Sequence, residues 1–315
     1  MKNYGLLKFR NVDVDNFTTK TGMNIRKKIN PILRKVFKLA TKSEIIVDNY
    51  PDLDKNKPYI FISIHSFVED ATANLATIDR NAYLLFGTSD QLEVNKDMYV
   101  GWANGFIYVD RKNKQSRNDA LLKMEKVLEN GNSVLIYAEG GFNNTENLLC
   151  QRLFSSPYIL STVSKAEVVP VAPFHEFGTD KIYMNIGDPI KLYEFDDKNA
   201  ALDHLRDVLS TMAYNNIEKH SKLVSRKDLG KNHRLDFMEE RRQEYLNTKW
   251  TKDVWDEELV QYFNKEEREY NDLQKSYDKL KLTKENANIV APILKKRKEE
   301  KKYDFKEYMH RNWNR

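Results

Sequence analysis

Between residues 51 and 220, short runs of apolar β-formers alternate with helical stretches, and this alternation restricts the chain more than any other feature. Tyr59–Ile64 predicts a buried strand, Phe67–Ile78 a helix and Ala82–Phe86 a second strand. Gly105–Val109 reads as a strand, and Ser116–Glu129 as a charged amphipathic helix ended by Asn130-Gly131. Val134–Tyr137 is a short buried strand and Leu148–Ser164 a helix. Val168–Phe174 is again extended, Ile182–Ile186 a further strand and Ala200–Lys219 a helix. Such an order predicts an α/β domain with a mostly parallel sheet flanked by helices. Chemistry in these sheets gathers at the carboxyl ends of the strands. His65, Asp110 and Glu139 each stand just past a predicted strand.

Charge divides the chain in three. The net charge of +5 averages a net +7 over residues 1–50, −7 over 51–220 and +5 over 221–315. We therefore expect a basic N-terminal segment (1–50), an α/β domain (51–220) and a charged helical extension (221–315) with different neighbours.

Within the first segment, 22-GMNIRKKINPILRKVFKLATK-42 carries Ile25, Ile29, Ile32, Leu33, Val36, Phe37 and Ala40 at helical spacing. Arg26, Lys27, Lys28, Arg34, Lys35 and Lys38 occupy the other side, and Asn30-Pro31 suggests a capped second helix after a bend. A basic amphipathic helix of this kind can lie on an anionic membrane surface or pack on the core with its cations in water. It lacks the aromatic interleaving of a stacking platform, so nucleic acid is not expected as a partner.

Of the 95 residues from Ser221 onward 43 are charged, and three helices with sparse apolar stripes are expected there. Trp250, Trp255, Tyr262, Phe263, Tyr270 and Tyr277 are the side chains available to dock them on the main domain. No heptad persists long enough for a coiled coil.

The single cysteine, Cys150, excludes an intramolecular disulfide and a cysteine zinc site, and it reads as a buried, inert thiol. The N-terminus shows no sustained apolar run of a signal peptide, and no stretch approaches the roughly 18 apolar residues of a membrane span. The chain is expected in the cytoplasm, peripherally on the inner membrane face. No Asp/His set has metal-ligand spacing. His175 reads as a structural or surface residue, His204 and His220 read as solvated, and the Asn143-Asn144-Thr145 sequon carries no weight without a secretory signal.

In 61-FISIHSFVEDATANL-75, a histidine stands at the mouth of a buried strand, with a carboxylate five residues later. Mid-helix, residues five apart point about 140° away from each other. A strand-to-helix turn between His65 and Asp70 brings them together instead. Asp70 then fixes the tautomer and leaves the other ring nitrogen as a base. His65 as a mere strand cap is the competing reading.

Taken in order, 65-HSFVED-70, 105-GFIYVDR-111, 137-YAEGGF-142 and 169-VPVAP-173 resemble the four sequence blocks of the lysophospholipid acyltransferase superfamily, over roughly residues 55–190. These glycerolipid acyltransferases include 1-acylglycerol-3-phosphate acyltransferase. The resemblance implies a glycerolipid-acyltransferase-like sheet, with His65 and Asp70 as the catalytic pair. It assigns acceptor binding to Arg111, Glu139, Gly140, Gly141 and Phe142, and matches Pro170 to the fourth block's proline. It implies no metal and no cofactor beyond acyl-CoA or acyl-carrier protein as co-substrate. The acceptor it implies is a lysophospholipid or related lipid.

The departures redirect the expectation. Ile64 stands where the family has asparagine, Ala138 for proline, Gly141 for threonine and Phe142 for an arginine that helps hold acceptor phosphate. Arg111, Lys112, Lys114 and Arg152 remain as cations. A glycolipid or saccharide hydroxyl stacked on Phe142 is therefore an alternative acceptor. A catalytically inactive membrane scaffold of the same fold, or a partner-recruiting role for the C-terminal helices, are the alternatives to an enzyme.

Overall fold

The computed structural model describes residues 12–87, 98–143, 148–176, 179–222, 224–230, 281–284 and 286–300, with the single positions 233 and 236. The aromatic residues singled out between Trp250 and Tyr277 lie outside the described residues.

Strand β1 is Glu44–Asn49, β2 Tyr59–Ser63, β3 Ala82–Gly87, β4 Ile107–Val109, β5 Ser133–Ile136, β6 Glu167–His175 and β7 Lys181–Ile186. They form one sheet in the order β1-β7-β6-β2-β5-β3-β4. Every pairing is parallel except β6 with β7. The α/β reading holds. Central β2 is buried at all five positions, as a strand covered on both faces must be.

Alternation along β2 explains the two cores. Ile60 and Ile62 join Tyr83, Val134, Ile136 and Val168 in one cluster, while Tyr59 and Phe61 join Leu84, Leu135, Val169 and Met184 in the other. The first cluster is closed by helices α5 (Lys114–Glu129), α6 (Ser156–Ser164) and α7 (Lys198–His220). Helices α2 (Lys20–Ala40) and α3 (Asp70–Thr77) pack on each other and close the second. The remaining α-helices among the described residues are α1 (Val14–Phe17), α4 (Met98–Asn104) and α8 (Ala287–Glu300).

Three expectations are corrected. Helix α2 runs unbroken through Pro31, capped by Thr19, whose side chain accepts from the Gly22 N–H at 3.3 Å; Asn30 is buried rather than a cap. Packing against α3 outweighs the backbone bond that proline removes.

The face assignment of α2 also changes. Met23, Asn30 and Phe37 turn inward together with Arg26, and Arg34 is half-buried. Arg26 lies over the rings of Phe17, Tyr83 and Trp102 and donates to the Phe17 carbonyl at 3.1 Å. Arg34 donates to the carbonyls of Ala76 and Thr77, capping α3. Guanidinium groups that find aromatic faces and carbonyls can leave water. Ile25, Ile32, Val36 and Leu39 are left outside, 38–86 % exposed.

Thirdly, only Ser156–Ser164 of the predicted helix 148–164 is helical. The Gln151 and Phe154 N–H groups are spent on the Glu139 carboxylate and the Ala138 carbonyl, which leaves no helical ladder before Pro157. Edge strand β1 went unread in the sequence, because its half-exposed pattern lacks a clean period.

Candidate active site

Parallel neighbours β2 and β5 end side by side, so the chain just past each meets the other. His65 follows β2; the segment 137–143 follows β5. Between His65 and α3 the chain turns, and Asp70 becomes the first residue of that helix. The turn does what the sequence spacing requires of it: His65 Nδ1 lies 2.8 Å from Asp70 Oδ2 and 3.1 Å from Oδ1.

Asp70 is completely buried, a costly place for a carboxylate without donors. Besides the imidazole, the Ser66 N–H reaches its Oδ2 at 2.9 Å and the Phe67 N–H at 3.4 Å. An ionised Asp70 accepts from Nδ1–H, so that Nε2 carries the ring's lone pair. The His65 side chain is 18 % exposed.

Both backbone groups of His65 are pinned by the third block. Its N–H donates to Glu139 Oε1 at 2.9 Å, and its carbonyl accepts from the Asn143 N–H at 2.5 Å. The second Glu139 oxygen accepts the Gln151 N–H at 2.7 Å. Glu139 is thus a buried brace across three segments, with its carboxylate turned to backbone amides.

Gly140 has φ +76, and a Cβ there would collide with the Phe154 ring, so this turn requires glycine. Its N–H donates to the Tyr137 carbonyl at 3.0 Å, and its own carbonyl accepts from Arg111 Nη1. Arg111, exposed beyond β4, is thereby drawn to the loop that braces His65. Gly141 is buried. Asp110 faces outward and caps a turn to the Lys112 N–H at 2.9 Å, so it does not join the pair. Pro170 sits inside β6 opposite Ile62.

Phe142 stacks on His65, ring centroids 3.7 Å apart and planes 29° from parallel. Tyr137 stacks on it at 4.1 Å and 28°. Behind them Asn74 Nδ2 donates to the Tyr137 hydroxyl at 2.9 Å and to Ser63 Oγ at 2.8 Å. Burial, and after it the charge of Asp70, push the Tyr137 phenol well above its ordinary range. Sequence reasoning assigned no role to Tyr137, Asn74 or Ser63. Asparagine four positions into a helix that starts at the dyad's carboxylate was the available signal.

Other candidates fall away from this centre. Burial, then the Glu139 charge, push the Cys150 thiol up, which keeps it from acting as a thiolate. His175 bonds the Thr179 carbonyl at 3.0 Å and leans on Phe67.

Residues 44–174 match the family model described as acyltransferase. Among solved structures, the 1-acyl-sn-glycerophosphate acyltransferase of Thermotoga maritima is similar, with a TM-score of 0.50 at 16 % identity. That likeness covers 64 % of this chain and 83 % of the other, and it speaks for the fold. No curated protein sequence matches significantly. All four sequence blocks, from His65 to Pro173, fall inside the residues that match the acyltransferase family model.

Proposed function

We propose that the chain moves a fatty acyl group from a thioester donor, acyl-CoA or acyl-carrier protein, to a hydroxyl of a lysophospholipid or related lipid. The observation that carries this reading is the His65–Asp70 contact at the carboxyl end of the central strand. Nε2 takes the hydroxyl proton as the acceptor oxygen attacks the thioester carbonyl. Asp70 stabilises the imidazolium that forms. The C–S bond then breaks, the proton passes to the departing thiolate, and ester and thiol are released. General-base assistance of this kind contributes roughly 10²–10⁴ in rate. Glu139 acts by fixing the His65 backbone, and Arg111 orients the acceptor from beside the Gly140 turn.

The outward face of α2 supports an anionic membrane surface as partner, on the inner leaflet. Ile25, Ile32, Val36 and Leu39 are exposed there beside exposed Lys28 and Lys35. Apolar insertion plus cation–headgroup attraction is how such helices bind, at about 1 kcal/mol per cation. No helix among the described residues is long and apolar enough to cross a membrane.

A second reading concerns the acceptor. Phe142 covers His65 where the family's arginine would meet phosphate, which favours a glycolipid or saccharide hydroxyl over a phosphate-bearing acceptor. The test offers labelled acyl-CoA with lysophosphatidic acid, glycerol 3-phosphate or a membrane glycolipid extract to wild type and Phe142→Arg. For a phosphate acceptor, the added charged bond improves binding about 10- to 100-fold. For a sugar acceptor, the variant loses turnover. Transfer to none of the three acceptors by wild type removes the acyltransferase reading.

A further inference from the structure

We propose that Tyr137 is a positioning residue of this site, paired with Phe142 in an aromatic clamp that holds the His65 ring and sets how readily it accepts a proton. The proposal rests on His65 acting as the general base, and adds two rings that act on it from its faces.

Four constraints leave the imidazole almost no freedom. Its backbone N–H and carbonyl are tied to Glu139 and Asn143, and Nδ1 is tied to Asp70. Both faces are covered, by Tyr137 at 4.1 Å and Phe142 at 3.7 Å. With the faces covered, an acceptor hydroxyl meets the base edge-on, which fixes the line of proton transfer.

The two rings also act electrostatically. An aromatic face attracts a cation, so each ring favours the imidazolium that the base step creates. The Tyr137 hydroxyl anchors its ring from behind: Asn74 Nδ2 donates to it at 2.9 Å and to Ser63 Oγ at 2.8 Å, and Ser63 Oγ donates in turn to the Ile64 carbonyl at 2.9 Å. Among the described residues, the ionisable groups around the ring are Asp70 and Tyr137; Glu139 faces its backbone, Arg111 the Gly140 carbonyl, and His175 leans on Phe67.

The clamp is tested by titrating activity, with acyl-CoA and lysophosphatidic acid, in wild type, Tyr137→Leu and Phe142→Leu. Each substitution removes one aromatic face, so the acidic limb of the pH–rate profile moves to lower pH, by about half a unit. Damage to folding alone lowers the amplitude of the profile and leaves the limb in place. Limbs coincident with wild type in both variants overturn the proposal. The same titration followed by NMR on the His65 imidazole, without substrates, separates the two readings. Shifts to lower pH in both variants there uphold the clamp even if His65→Ala retains turnover and the base reading falls.

Discussion

Two histidine–aspartate pairs occur among the described residues, and only one has the makings of a catalytic centre. His65 meets Asp70 through Nδ1, at the carboxyl end of the fully buried central strand. His220, the last residue of α7, is not solvated as its polar helix suggested but largely covered, meeting Asp48 of edge strand β1 through Nε2. Both histidines stack on a tyrosine, His220 on Tyr183 at 3.5 Å and 13°. The carboxylates differ. Asp70 serves one histidine and backbone N–H groups, while Asp48 also holds Lys219 Nζ at 2.9 Å. An edge pair that shares its acid with a surface lysine ties a helix end to the sheet. A contact between histidine and aspartate is therefore not a site by itself. Strand position, the nitrogen engaged and the carboxylate's other partners decide.

The comparison breaks first if the wrong histidine matters. His65→Ala is expected to lower acyl transfer by roughly 10²–10⁴, while His220→Ala stays within about twofold of wild type. Comparable losses in both, measured at matched folded fraction, would put the catalytic centre in question.

A smaller effect separates the acids. Asp70→Asn keeps the shape but loses the charge opposite the imidazolium, and transfer should fall about a hundredfold. Steady-state rates for Asp48→Asn should remain near wild type. An unimpaired Asp70→Asn enzyme would mean that Asp70 merely orders the turn.

The smallest effect lies at the edge pair and appears in stability. Burial pulls the Asp48 carboxyl upward, but bonds from His220 and Lys219 outweigh it and hold the group below 3.8. A carboxylate depressed in the folded state contributes stability above its unfolded value, which is lost as pH falls from about 3.8 toward the lower folded value. Removing this half-open pair should cost about 1 kcal/mol or less at neutral pH. Urea melts of wild type and Asp48→Asn should converge as the pH drops through that window. A gap that stays constant with pH would mean the pair does not stabilise the fold.

Much of the architecture was legible because burial on both faces leaves a plain signature. Tyr59–Ile64, Val134–Tyr137 and Val168–Phe174 are apolar runs in which only Ser63 is polar, and each became a strand within the central part of the sheet. The half-exposed β1 and the irregular 148–155 segment carry no such signature. Their conformations depend on partners remote in sequence, Lys181–Asn185 for one and Glu139 for the other.

By itself the sequence determined the alternation of strands and helices from Tyr59 onward and singled out His65, Asp70, Arg111 and the Glu139-Gly140 pair as candidates, because local periodicity and ordered short motifs are written in neighbouring residues. Only the tertiary structure decided which face of α2 is buried, that Glu139 braces the His65 backbone, and that Tyr137 and Phe142 enclose the imidazole. Each of these depends on β2 and β5 ending side by side or on α2 meeting α3. Such pairings join residues up to 77 positions apart, as with His65 and Phe142, and no local pattern specifies them.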